Sequence, residues 1–213
     1  MRFIRGPVLA GGLALAIGVS AQGQAPGAPP RPAAEVGVRL ATALGTIDLV
    51  VDTAHAPVTA GNFLKYVDAG LYDGGRFYRV TRPDNYTPTP PNRPMMNLIE
   101  GDIDPARDGE RRPAIPLERT SVTGLRHVAG MVSMGRTDGE PDSAASDFFI
   151  LLDDQPSLDF GGRRFTDAQG AAAFGHVVAG LDVVRTIQQQ GPLQEQNRQY
   201  LVTPVTITSV KRR

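Results

Sequence analysis

Short runs of alternating apolar and polar residues recur along most of this chain, and they constrain its fold more than any other feature. Val36, Val38 and Leu40 alternate with smaller or polar neighbours, and Ile47, Leu49 and Val51 alternate with Thr46, Asp48 and Val50. A period of two turns one set of side chains to a buried face, so the segment reads as a hairpin with Leu44-Gly45 at its turn. Further strands are expected at Arg76–Val80, Met95–Gly101, Ala129–Met134, Phe148–Leu152, Ala172–Val178 and Val202–Val210. Only two segments change to helical period. In the first, Ala60, Phe63, Leu64 and Val67 fall on one face, with Pro57 suited to the first turn and Gly70 to the stop. In the second, Leu181–Gln190, Leu181, Val184 and Ile187 share a face and Gly191-Pro192 ends the run. Strands outnumbering helices about four to one, with irregular connections, predict an antiparallel barrel or sandwich capped by two helices.

The N-terminal residues read as an address rather than as part of that fold. Residues 1–21 have a basic start (Arg2, Arg5), an apolar run from about Val8 to Val19, and Val19-Ser20-Ala21 as a cleavage site. The run is too short to span a bilayer comfortably, since a transmembrane helix needs roughly 20 apolar residues. A cleavable signal peptide and a periplasmic location are expected. Residues 22–35 are rich in Pro, Ala, Gly and Gln and read as an extended tether. The folded domain is expected over 36–213. Within it, residues 81–94 hold five prolines and form a long loop, a length that is commonly functional.

Composition narrows the chemistry. The chain has no cysteine, which excludes thiolate nucleophiles, disulfides and cysteine-based zinc sites. Its three histidines, His55, His127 and His176, fall in no metal-ligand spacing, and there is neither a Gly-x-Ser-x-Gly nor a phosphate loop. No metal and no cofactor are expected. Basic and acidic residues balance at 22 each, so the chain has no long-range pull on nucleic acid or anionic membrane.

Nine words in register carry more. They are GTIDL (45–49), APVTAGNF (56–63), GLYDGGRFYRV (70–80), IEGD (99–102), GMVSMGR (130–136), SAASDFFI (143–150), SLD (157–159), AFGHVVAGLDVV (173–184) and a terminal strand. Together they resemble the cyclophilin family of peptidyl-prolyl isomerases (rotamases) over roughly 36–211. The resemblance implies a mainly β fold, a closed eight-stranded antiparallel barrel capped by two α-helices, with its active groove on the outside. It implies Xaa-Pro segments of unfolded or exported proteins as partners, and a monomer is expected. Carried over word by word, Arg79 would donate to the proline nitrogen, with Glu100 as its holder. Phe149, Met134, Leu158 and Leu98 would wall the proline pocket, with Phe148 in the core. Gly135 and Arg136 would grip the substrate through main-chain groups, and Asp147 would lie beside them.

The reaction itself explains why so few groups suffice. Delocalisation of the amide nitrogen's lone pair sets a rotation barrier of about 18–20 kcal/mol. No bond breaks, so the protein has only to favour the twisted state, in which that lone pair is free to accept a hydrogen bond. Several polar positions depart from the family's pattern: Tyr78 stands for a His, Glu100 and Asp147 each for a Gln, and Ser157 for an aromatic residue. A carboxylate at 100 is able to grip Arg79 through two parallel bonds and neutralise it. These departures predict a slow enzyme with an acidic groove that prefers basic or neutral flanks around the proline, and they sustain an alternative, a non-catalytic module or holdase that docks Pro-containing segments.

Overall fold

The computed structural model describes residues 35–85 and 90–213; the expected signal peptide and nearly all of the tether lie outside the described residues. The eight expected strands form, as β1 (Glu35–Thr42), β2 (Gly45–Asp52), β3 (Arg76–Thr81), β4 (Leu98–Asp102), β5 (Met131–Met134), β6 (Phe148–Leu151), β7 (Ala172–Ala179) and β8 (Tyr200–Arg212). All pair antiparallel in the order β1-β2-β7-β5-β6-β4-β3-β8, and β8 returns to β1 to close the barrel. The two expected helices are α1 (Pro57–Asp68) and α3 (Leu181–Gln188). Among the described residues, no helix is long and apolar enough to cross a membrane.

The differences from expectation are local. A one-turn helix, α2 (Thr120–Thr123), and two 3-10 turns at Pro105–Glu110 and Pro156–Leu158 were not foreseen. Elements this short show no apolar period; end groups hold them, such as the Asp104 carboxylate accepting from the Ala106 N–H at 2.9 Å. The strand expected from Met95 starts only at Leu98, and the one expected from Ala129 only at Met131, after Gly130 at φ 83°.

Aromatic rings fill the barrel. Phe63 of α1 lies 5.0 Å from Phe174 and 5.7 Å from Phe148 between ring centroids, and Tyr72 and Phe77 lie 5.3 and 5.7 Å from Phe148. Gly101 of β4 faces this cluster so closely that a Cβ there would sit 2.9 Å from the Phe77 ring. An eight-stranded barrel is just wide enough for its side chains to fill. A ligand therefore has only the outer surface.

The N-terminus of α1 is capped from a distance. Pro57 opens the helix without an N–H, and Ala56 before it has no side-chain acceptor. The Glu118 carboxylate supplies one, accepting from the Val58 N–H at 3.0 Å and the Thr59 N–H at 2.7 Å. Glu118→Ala is expected to lower stability by about 0.5–2 kcal/mol, seen as a lower urea midpoint with an unchanged m value.

Candidate active site

Strand register assembles the site on the outer wall. Glu100 of β4 lies opposite Arg79 of β3 on one side and Phe149 of β6 on the other. Alternation then sends Phe148 inward and Phe149 outward, as the sequence predicts. A bulge in β3 breaks the alternation between Phe77 and Arg79. Phe77 and Val80 are both fully buried in the core, while Tyr78 and Arg79, neighbours in sequence, both line cavities of the outer wall.

Arg79 lines an apolar pocket. Met96, Leu98, Phe149, Leu158 and Phe165 wall it, and Arg79, Glu100 and Arg164 bring their polar groups to it. The pocket is about 60 Å³, suited to one small ring. The chain between β6 and β7 forms its far wall, and Arg136 braces that segment. Its guanidinium stacks 3.7 Å from the Phe165 ring centroid, pairs with Asp167 at 2.7 and 3.0 Å, and donates to the Gly170 carbonyl at 2.7 Å. Behind the pocket, the buried His127 ring stacks on Phe149 and bonds Asp159 at 2.8 Å.

Leu98, Phe149 and Leu158, expected as walls of the proline pocket, line this pocket. Met134 does not: it is buried among the barrel's core residues, opposite Phe148, and Met96, from the segment before β4, takes a place in the pocket wall instead. Gly135 is a spacer. Its N–H is already bonded to the Asp147 carbonyl at 2.8 Å, and a Cβ there would lie 2.9 Å from the Asp147 Cβ and 3.1 Å from Glu100 Oε1. It has no N–H left for a substrate. Arg164 lies near the place of the family's His after the SLD word, which has no clear match here, and Phe165 follows a segment, Gly161–Arg163, that matches no word of the resemblance.

Arg79 is held from two sides. Its Nη1 donates to Glu100 Oε2 at 2.6 Å, while Nε and Nη2 donate to Gln199 Oε1 at 3.1 and 2.5 Å. The expected two-bond grip of Glu100 is thus a single bond. Burial disfavours the Arg79 charge, and the Glu100 carboxylate more than offsets this, raising its pKa above the ordinary value. Of five guanidinium donors, these bonds use three and leave one N–H on each Nη. Gln199 was not foreseen. It precedes β8, far from Arg79 in sequence, and arrives because Tyr200 pairs with Arg79 and the Gln199 carbonyl accepts from the Val80 N–H at 2.8 Å.

On the other side of Glu100, Asp147 closes a second cavity. Tyr78 Oη donates to Asp147 Oδ1 at 2.7 Å. Burial, then repulsion from Asp102 and Glu100, pushes the Asp147 carboxyl up to about 7, against the pull of Tyr78 and Arg111. Burial and the same acidic neighbourhood raise the Tyr78 phenol, which stays a neutral donor. Among the described residues, no group of three or more acidic or histidine side chains is arranged to hold a metal ion.

Comparisons with known proteins bear on the family and the fold. Residues 37–212 match the family model described as cyclophilin type peptidyl-prolyl cis-trans isomerase/CLD. The chain is 36% identical over 152 residues to peptidyl-prolyl cis-trans isomerase A of Dickeya dadantii, covering 71% of this chain and 70% of that protein. It is 33% identical over 175 residues to peptidyl-prolyl cis-trans isomerase cyp18 of Streptomyces antibioticus, covering 82% and 96%. A solved cyclophilin type isomerase of Cryptosporidium parvum shares the fold at a TM-score of 0.64 and 19% identity, over 84% of this chain and 98% of that one.

The crowding of acids around Asp147 has a measurable signature. Its folded-state pKa lies above the unfolded value of 3.8, so its ionisation opposes folding. The penalty is absent at low pH, where both states are protonated, grows as pH rises through that window, and is complete above about 7. A third of the side chain is open to solvent, which screens part of it. Asp147→Asn keeps an acceptor for Tyr78 and removes the charge. Its melting temperature relative to wild type is expected to rise steadily from acid pH to about pH 8; a constant difference would contradict the charge account.

Proposed function

Given that the chain belongs to the family of cyclophilin-type peptidyl-prolyl cis-trans isomerases and is itself such an isomerase, we propose that Arg79 drives the rotation and that the apolar pocket beside it holds the proline ring. One observation carries this reading: a guanidinium with two N–H groups to spare lines a pocket sized for a single small ring. Met96, Leu98, Phe149, Leu158 and Phe165 hold the ring still while the preceding carbonyl turns. As the bond twists, the proline nitrogen becomes pyramidal and accepts from an Arg79 N–H. Neither planar isomer offers that lone pair, so the bond strengthens only in the transition state. The grip on the substrate backbone falls to the main chain of Arg136, since the Gly135 N–H is already bonded.

Glu100 and Gln199 are positioning residues acting through Arg79. Gln199 aims the guanidinium without changing its charge. Glu100 also aims it but weakens its field at the proline nitrogen. We propose in addition that the chain acts on exported proteins in the periplasm; the composition of residues 1–21 supports this. Sequencing the N-terminus of the protein recovered from the periplasmic fraction of bacterial cells is expected to read from Gln22, and an intact Met1 would speak against it.

The central test is cis-to-trans isomerisation of a short Xaa-Pro peptide. Arg79→Ala is expected to reduce kcat/KM by about 100-fold or more, as when a donor to a transition-state charge is removed. Glu100→Gln keeps an acceptor and should raise kcat/KM by less than about tenfold, a change below 1.4 kcal/mol. Gln199→Ala should lower kcat with little change in KM, the mark of a misaimed group rather than a lost contact. A folded wild-type protein that binds the peptide without turning it over would favour the binding module.

A further inference from the structure

The cavity beyond Glu100 differs in chemistry from the apolar pocket. It is about 380 Å³, and it shares Glu100, Gly135 and Arg136 with that pocket, so the two open on one groove. Tyr78, Arg111 and Asp147 form its polar wall. The charges around it do not cancel. Arg79 is matched by Glu100 at 2.6 Å, Arg136 by Asp167 at 2.7 Å, and Arg111 is shared between Asp102 at 2.7 Å and Asp108 at 2.8 Å. Arg76 stacks on the Tyr78 ring at 5.7 Å and does not line the cavity. Asp147 is the carboxylate most weakly matched. Its Oδ1 accepts from Tyr78, but its Oδ2 has Arg111 only at 3.8 Å, beyond hydrogen-bond length. The raised pKa of Asp147 reports the same imbalance.

We propose that this cavity receives a basic side chain, Lys or Arg, of a residue flanking the proline, with Asp147 as its ionic partner. The inference rests on the isomerase reading of the adjoining pocket. A long basic side chain suits both halves of the cavity: its methylene stem packs along Ala145 and the Tyr78 ring while its charged end reaches Asp147 Oδ2. An acidic flank in the same place meets Asp147 and Glu100 together.

Peptides carrying Lys, Ala or Glu, at the residue before the proline and separately at the residue after it, test this at about pH 8, where Asp147 is ionised. Both Kd and isomerisation rate are read by NMR on the full chain. At one flank, the Lys peptide is expected to bind about tenfold more tightly than the Glu peptide, the range of a partly buried ion pair set against a like-charge contact. That ratio should shrink with added salt and fall below about twofold in Asp147→Asn, or in Asp147→Ser should the first variant fail to fold. Equal Kd values at both flanks, a preference for Glu, or a Lys preference untouched by replacing Asp147 would overturn the proposal. Turnover with equal Kd values sinks this inference alone, whereas an Asp147-dependent Lys preference without turnover sinks the isomerase reading alone. A wild-type protein that binds none of the peptides overturns both.

Discussion

Pairing of β8 with β1 leaves the sheet no edge, and the rings of Phe63, Tyr72, Phe77, Phe148 and Phe174 leave its interior no room. A structure closed and filled in this way offers a ligand only its outer wall. It also makes that wall rigid, because a strand in a closed barrel cannot slip by one residue without moving every buried side chain to the wrong face. Arg79, Glu100 and Phe149 stand in a row across three adjacent strands for this reason. Their spacing is a property of the hydrogen-bond ladder rather than of any flexible loop.

On that wall, two irregularities do what regular strands cannot. The bulge at Tyr78 lets two consecutive side chains serve two different cavities, one apolar and one acidic. The connection between β6 and β7 folds over the outer apolar cluster and turns an exposed hydrophobic patch into a pocket, held there by Arg136 on Phe165, Asp167 and Gly170. The chemistry asked of the site is light, a donor and a place for a ring, so the remaining groups are free to set charge and aim. Glu100 does both, since it holds Arg79 and lies between the two cavities. An uncharged Gln199 shares the holding, so Arg79 is aimed without a second carboxylate against it.

Most of the fold was legible because its strands are half-buried: one face packs on the barrel core, so the period of two survives in β1, β2 and β8. Phe148 and Phe149 were separable by the same alternation. Arg79 and Glu100 were legible through the words around them, FYRV and IEGD. What escaped has a physical reason in each case. Met134 faces the barrel core rather than the pocket, and because both faces of β5 are buried its sequence gives no sign of which face looks inward. Gln199 and Phe165 lie in irregular segments whose path only tertiary packing sets. The single bond from Glu100 to Arg79, where two were expected, follows from Gln199 occupying the other edge of the guanidinium.

By itself the sequence determined the mainly β class, the approximate position of each strand and of both longer helices, and the lack of any cysteine chemistry. These follow from local periodicity and composition, which a linear string records in full. Tertiary structure alone decided which side chains meet: that Glu118 caps α1 from far along the chain, that Gln199 aims Arg79, and that Asp147 has only the distant edge of an Arg111 already bonded to Asp102 and Asp108. Closure of the barrel brings residues more than a hundred positions apart into hydrogen-bond contact, and no local pattern encodes a contact made only when the ends of a sheet join.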